Sequence, residues 1–408
     1  MRILIAGATY YPAFNGQARF TVNLAEGLAR SGHDVAVITQ SEIVRPYQRT
    51  HNGVKVFGLQ AVSLNRWYPG ATISLFPGRA VRQIFAAFRP DVVHIQDHYP
   101  ISQHAQRCAV QYGLKVMGTN HFMPENLAPY LQSIAWFKPG YRWALWHWML
   151  GLFNQLDLVT APSRTAAEIL RRQGLITPVI PVSCGVDTDV YRPMPEVDRE
   201  GVRRRFGIDP EKTVFLFVGR VDGEKRLEVL LRALSLWPEA PVQLVIAGKG
   251  AALPGLQNLA CELNLGERVR FTGFIPEKDK PALLNSVDVF AMPSEAELLS
   301  IASLEAMACG RPLLAARSQA LPELVDPGVN GLLFRPGDPQ DAVRCMQRMV
   351  HERERWSAVQ AASLEKVQSH ALEYVIERYE GLYEYIQSLP AAVQRRTQLR
   401  QQLSRLFE

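Results

Sequence analysis

The chain runs to 408 residues, more than one hydrophobic core usually serves, so two domains are expected. Its 47% hydrophobic and 21% charged residues are ordinary for a globular protein, and no unbroken apolar run is long enough to span a membrane. The formal charge of +6 is unevenly spread: residues 1–150 carry 14 Lys and Arg against 6 Asp and Glu, whereas residues 201–408 carry 26 of each. An excess confined to one region points to an anionic partner there, such as a lipid surface or a phosphate, although solubility alone also explains it. A nucleic-acid partner is not expected. Cys108, Cys184, Cys261, Cys309 and Cys345 show neither paired nor metal-like spacing, which points to a reducing cytoplasm without structural disulfides.

Met1-Arg2-Ile3-Leu4-Ile5-Ala6-Gly7 opens the chain as a first strand, its apolar run too short for a signal peptide. Pro12-Ala13-Phe14-Asn15-Gly16-Gln17 leads into an amphipathic helix over 18–30. Strand-like runs follow at 34–39, 92–95, 115–119, 156–161 and 178–182, with helix-like stretches between them. A polar, proline-bearing segment over 186–198 reads as a linker. A second strand series comes after it, at 213–218, 242–247, 269–272, 287–292, 312–316 and 331–334. Such alternation means parallel sheets covered by helices on both faces, here two doubly wound α/β domains over 1–185 and 193–370. Ligands of such sheets bind beyond the strands' carboxyl ends, so a cleft between the domains is expected. Residues 371–387 read as an amphipathic helix. The tail over 389–408, with Arg395, Arg396, Arg400 and Arg405, reads either as a basic amphipathic helix or as a solvated terminus.

The stretch Pro293-Ser294-Glu295-Ala296-Glu297-Leu298-Leu299-Ser300-Ile301-Ala302-Ser303-Leu304-Glu305 leaves a buried strand and becomes an Ala-rich helix opened by Ser300 and stopped by Gly310 and Pro312. Around Leu299, Ser300 and Ile301 the helix start offers unpaired N–H groups and a positive dipole end, which suit a phosphate. Glu305 suits a vicinal diol such as a ribose, and Glu297 suits sugar hydroxyls. A phosphate socket between two hydroxyl-binding carboxylates has the shape of a nucleotide-sugar site; two solvated glutamates on a βα unit is the plainer reading. Upstream, the strand over 213–218 ends in Gly219-Arg220, followed by Val221-Asp222-Gly223-Glu224-Lys225. Glycine there lets a ligand approach closely, and Arg220 with Lys225 supplies charge for a diphosphate.

The spacing of Glu297 and Glu305 resembles the Glu-seven-Glu motif of retaining glycosyltransferases of family 4, which have the GT-B fold. Gly219-Arg220 with Glu224-Lys225 resembles that family's Gly-Arg…Glu-Lys element. The resemblance implies two Rossmann-like domains facing a cleft, with a C-terminal helix over 371–388 crossing back onto the first. It also implies a nucleoside diphosphate sugar as co-substrate, with Arg220 and Lys225 neutralising the diphosphate. The family's glycine-rich loop after the first strand touches the diphosphate and the sugar. This chain has Asn15-Gly16 there, so Gly16 alone carries over. His121, in Gly118-Thr119-Asn120-His121-Phe122, matches a family histidine that faces the sugar's reacting carbon and hydroxyls. His121, Glu297, Arg220 and Lys225 are thus the implied catalytic set, and His94, His98 and Asn120 are candidates for acceptor contacts. Asp187-Thr188-Asp189 matches a metal-binding pattern of another glycosyltransferase fold, but it lies where family 4 has a Gly-Val-Asp segment without a metal role. Neither a metal nor any other cofactor is expected.

Within the family, Asn120-His121-Phe122-Met123-Pro124-Glu125-Asn126 and Glu297-Leu298-Leu299-Ser300-Ile301 look like bacterial lipid glycosyltransferases, the diacylglycerol glucosyltransferases above all. That implies transfer of a hexose, from a UDP-sugar by preference, to a lipid hydroxyl with the anomeric configuration retained. It also implies a peripheral protein on the cytoplasmic membrane face. At Leu298 the family more often has a small residue, which leaves the sugar open. Residues 136–153 hold four of the seven tryptophans; core packing accounts for most of them, and a membrane interface is the other reading. A soluble sugar, sugar-phosphate or polysaccharide acceptor is the nearest rival. A nicotinamide oxidoreductase lacks its Gly-x-Gly-x-x-Gly after the first strand, and a silent nucleotide-sugar binder does not need the intact acidic and basic residues. Oligomeric state is not legible.

Overall fold

The structure is a computed structural model and describes residues 1–12, 15–63, 72–124 and 140–390. Glu125, Asn126, Trp136 and the tail from residue 391, all singled out by the sequence, lie outside the described residues, as do Ala13 and Phe14. The chain forms two compact units, one of Met1–Ser183 with the chain from Val375 onward, the other of Cys184–Tyr374.

The first unit carries β1 (Arg2–Ala6), β2 (Asp34–Gln40), β3 (Tyr47–His51), β4 (Val54–Leu59), β5 (Val62–Ser63), β6 (Thr72–Ile73), β7 (Val92–Ile95), β8 (Lys115–Thr119), β9 (Leu158–Ala161) and β10 (Val179–Pro181). Its main sheet runs β10-β9-β8-β7-β1-β2-β4-β3, parallel throughout except for β3, which pairs antiparallel with β4 at the edge. The central strands are buried on both faces, which is why they read as unbroken apolar runs. The β3–β4 hairpin, absent from the sequence reading, turns at Asn52-Gly53, both at positive φ. β9 starts at Leu158, later than expected, because the Asp157 carboxylate accepts from the Val116 N–H at 2.9 Å.

The helix Leu372–Ser388 joins this unit through Val375, Ile376, Tyr379, Tyr383 and Ile386, all buried. A Cβ on Gly27 would stand 2.5 Å from the Ile376 side chain, so a glycine there lets the two helices meet. Burying each tyrosine ring contributes about 1.5–3 kcal/mol.

The second unit carries β11 (Thr213–Val218), β12 (Val242–Ala247), β13 (Val269–Gly273), β14 (Val289–Met292), β15 (Leu313–Ala316) and β16 (Gly331–Phe334). They form one all-parallel sheet in the order β13-β12-β11-β14-β15-β16. Val287 and Asp288 precede β14 rather than belong to it. The buried Asp288 carboxylate accepts from the Val214 N–H at 2.8 Å and from Arg203 at 2.8 Å. The 186–198 segment belongs to this unit, where Val186 bridges to Ala371.

In each sheet the strand order reverses beside the first strand, between β1 and β7 and between β11 and β14. The crevice at the carboxyl ends of such a pair is where open α/β sheets hold ligands. Among the described residues, no helix is long and apolar enough to cross a membrane.

Candidate active site

In the second unit the reversal brings together the loops after β11 and β14. The Glu224 carbonyl accepts from the Glu295 N–H and from Ser294 Oγ, each at 3.2 Å, tying the loops to one another. The β12 loop packs against the same corner. A Cβ on Gly248 would sit 1.8 Å from the Gly219 carbonyl oxygen, and one on Gly250 would sit 2.2 Å from that of Val221. Any side chain there would push the β11 loop away. Gly248-Lys249-Gly250 at the carboxyl end of β12 is the sequence signal of that close approach.

Two lysine–carboxylate pairs line this corner, with Arg220 beside them. Lys225 Nζ donates to Glu297 Oε1 at 2.6 Å, with both side chains mostly buried. Glu305, only 2% exposed, has Lys280 Nζ at 3.2 Å from Oε1 and 2.9 Å from Oε2. Lys280 also donates to Glu277 at 3.2 Å and lies 5.8 Å from the centre of the Tyr191 ring. Lys280 was missed because 25 residues of chain separate it from Glu305 and nothing in its own segment marks it. Arg220 is held by two carboxylates, Asp222 at 2.5 Å and Glu224 at 2.9 Å, and remains part-exposed.

Between the two lysine–carboxylate pairs the helix Ile301–Ala308 begins at Ser300, whose hydroxyl accepts from the Ser303 N–H at 3.2 Å. Leu299 and Ser300 are buried, and Ile301 is the first helical residue. The helix stops at Gly310, at φ 71°, whose N–H reaches the Met307 carbonyl. Glu297, Ser300 and Glu305 are thus set along one loop-to-helix turn, Glu297 in the loop and Glu305 on the helix. Arg220 and Lys225 come from the neighbouring strand end.

In the first unit the β1/β7 reversal gathers a different set. Asp97, 3% exposed, accepts from the Ala8 N–H at 2.5 Å, Gln17 at 2.8 Å, the Tyr99 N–H at 3.0 Å and Ser102 at 2.7 Å. His121 Nε2 meets Gln96 Oε1 at 3.0 Å, and its ring packs on Phe20. Loss of hydration pushes the His121 pKa down to about 3, so the ring is neutral near pH 7. Gly16 is the first residue of the helix Gly16–Arg30, not part of a loop, because Asn15 caps that helix by accepting from the Ala18 N–H at 2.8 Å.

His94, expected among the acceptor contacts, is instead a core residue. It is 0% exposed and uses both ring nitrogens, Nδ1 with Tyr383 Oη at 2.8 Å and Nε2 with Thr119 Oγ1 at 2.7 Å. Burial, with the nearby His121, lowers its pKa to about 3. His98 and Asn120 differ. Both are 1% exposed, yet both His98 ring nitrogens and Asn120 Nδ2 lack a hydrogen-bond partner, as does Gln96 Nε2. Phe122, Tyr99 and Trp148 pack around the His98 ring. Such orphaned groups cost about 1–3 kcal/mol each unless water or a ligand meets them.

Two family models match the chain, Glycosyltransferase Family 4 over residues 14–190 and Glycosyl transferases group 1 over residues 198–363. The chain belongs to the group 1, family 4 glycosyltransferases. This glycosyltransferase is 27% identical to the sulfoquinovosyl transferase SQD2 of Arabidopsis thaliana over 355 residues, 85% of this chain and 66% of that protein. It is 25% identical to a GDP-mannose-dependent alpha-mannosyltransferase of Corynebacterium glutamicum, over 96% of this chain and 91% of that one. The crystal structure of Anabaena HepE in complex with UDP-glucose superposes with a TM-score of 0.74 at 19% identity, covering 94% of this chain and 100% of that one. The fold is GT-B.

Among the described residues of this glycosyltransferase, no group of three or more His, Cys, Asp or Glu side chains gathers as a metal site. Asp187 instead caps its own turn, accepting from the Asp189 and Val190 N–H groups at 3.0 and 3.1 Å.

Proposed function

We propose that this glycosyltransferase moves a hexose from a nucleoside diphosphate sugar, a UDP-sugar by preference, to the hydroxyl of a lipid such as diacylglycerol at the cytoplasmic membrane face, with retention. The observation that carries the donor half is the pair of lysine-held carboxylates on either side of the Ser300 helix start. Glu305, paired with Lys280, accepts two hydrogen bonds from the ribose diol. The diphosphate sits against the N–H groups at Leu299, Ser300 and Ile301, with Arg220 and Lys225 as its counter-charges and Gly219 leaving it room. Glu297 holds sugar hydroxyls. In the first unit, the neutral imidazole of His121 is assigned to the transferred sugar by the family resemblance.

The reaction breaks the bond between the anomeric carbon and the phosphate oxygen and forms one to the acceptor oxygen on the same face. The acceptor's proton passes to the leaving phosphate. Negative charge builds on the diphosphate as the bond breaks, so the fixed cations and helix start stabilise the transition state more than the ground state. No metal is assigned to that task.

A second reading, transfer to a soluble sugar, draws on the unpartnered polar atoms of Gln96, His98 and Asn120, which suit hydroxyl groups of any polyol. A screen of nucleoside diphosphate sugars, reading nucleoside diphosphate release with and without dispersed diacylglycerol, tests both readings. Release stimulated by the lipid supports the first. Release stimulated only by soluble sugars favours the second, and no release from any donor removes the donor assignment.

A further inference from the structure

The helices Gly78–Phe88 and Pro100–Gln111 of the first unit pack side by side. His104 lies against Gly78, where a Cβ would stand 2.9 Å from the ring. Partial burial lowers the His104 pKa, and the nearby charges of Arg107 and Arg82 add to that effect. Arg79 and Arg82, one turn apart, are exposed on one helix and Arg107 on the other. Just before the first of these helices Phe76 is 94% exposed and Leu75 50% exposed.

No acidic residue occurs in either helix or in the Leu75–Pro77 approach. The acids nearest in sequence are both engaged: Asp91 is bonded to Arg2 at 2.8 Å, and Asp97 is buried under four donors. Surfaces that only need solubility intersperse both signs of charge and seldom expose a phenylalanine so fully. The eight-charge excess of residues 1–150 is therefore partly concentrated on this face.

We infer that the face formed by Leu75, Phe76, Arg79, Arg82 and Arg107 docks on an anionic lipid bilayer. Arginine forks meet lipid phosphates, while the two apolar side chains enter the boundary between headgroups and acyl chains. That division of labour separates a bilayer from a nucleic-acid duplex, which offers charge to the arginines but no apolar layer to Leu75 and Phe76. The inference deepens the lipid-acceptor reading by giving the first unit a place to rest beside its acceptor.

The test is co-sedimentation of the full chain with vesicles of phosphatidylcholine alone and of phosphatidylcholine mixed with phosphatidylglycerol. Each arginine near such a surface contributes about fivefold in partitioning, so Arg82→Gln/Arg107→Gln binds the mixed vesicles about 25-fold less at low salt. Phe76→Ser removes the part of the binding that persists in high salt. Wild-type partitioning by the Gln variant overturns the inference, and so does binding to a nucleic-acid duplex in preference to the mixed vesicles. Transfer to detergent-dispersed diacylglycerol separates this inference from the function beneath it. The Gln variant keeps the wild-type rate in detergent if its defect is docking; an equal loss in detergent and on vesicles places the defect in the enzyme and overturns the surface. Absence of transfer by the wild type in detergent removes the lipid acceptor, whatever the vesicles show.

Discussion

Lys280→Met tests how the donor site is held. Glu305 has both carboxylate oxygens within 3.2 Å of the Lys280 ammonium and is 2% exposed, so the substitution leaves a carboxylate in a dry site without a counter-charge. Breaking a buried pair from one side costs about 3–5 kcal/mol. Without Lys280 the Glu305 carboxylate is no longer held where a ribose diol would meet it. The loss in nucleotide binding is therefore expected to approach that of Glu305→Gln, one charged acceptor at about 1.5–3 kcal/mol, or roughly 10- to 150-fold in affinity. Calorimetry with UDP and with its 2′,3′-dideoxy analogue reads this directly. Both variants should lose affinity for UDP and bind the dideoxy analogue as the wild type does. Lys280→Met/Glu305→Gln should regain much of the stability that Lys280→Met loses. Equal losses for both nucleotides in Lys280→Met would refute the positioning role, and unchanged UDP affinity in a folded Glu305→Gln would remove Glu305 from the ribose.

Arg220→Ala and Lys225→Ala should each lower kcat by about 10²- to 10³-fold while changing KM for the acceptor little, since their charges matter most as the phosphate leaves. Transfer should survive chelator treatment; loss that a divalent ion restores would contradict a reaction carried by side-chain cations. His94 and His121 have folded pKa values of about 3, below the value of 6.5 that they regain on unfolding. Between those limits the unfolded chain binds protons that the folded chain does not, so stability falls as pH falls, by about 1.4 kcal/mol per pH unit for each histidine. Denaturant unfolding between about pH 6 and pH 4 should show this slope, and His94→Gln should lessen it; an unchanged slope would mean that His94 titrates alike in both states.

The second unit was the more legible in sequence because its site is local. Glu297, Ser300 and Glu305 fall on one loop-to-helix turn, and Gly219 through Lys225 on another, so spacing alone brings out their relation. What escaped was carried by tertiary packing. Lys280, at the start of the helix Lys280–Ser286, meets Glu305 of the helix Ile301–Ala308 only through the tertiary fold, and the glycines after β12 matter only because β11 and β12 are neighbours. In the first unit the strand-end histidines looked alike. His94 lies within β7 and points into the core under Tyr379 and Tyr383, whereas His98 lies past the strand end with both nitrogens unpartnered. That distinction depends on where the strand stops and on a helix far along the chain, whose Tyr383 lies 289 residues after His94. The β3–β4 hairpin did leave a signal, Asn52-Gly53, but the polar edge strand Tyr47–His51 hid it among loop-like residues.

NMR analysis of the products after incubation of the protein with UDP-glucose and dispersed diacylglycerol reads donor, acceptor and stereochemistry at once. A glycolipid with the donor's α configuration should form together with free UDP, and none should form with Arg220→Ala/Glu305→Ala. A β-linked product, or an α-linked product that the double variant forms as fast as the wild type, would contradict the proposed function.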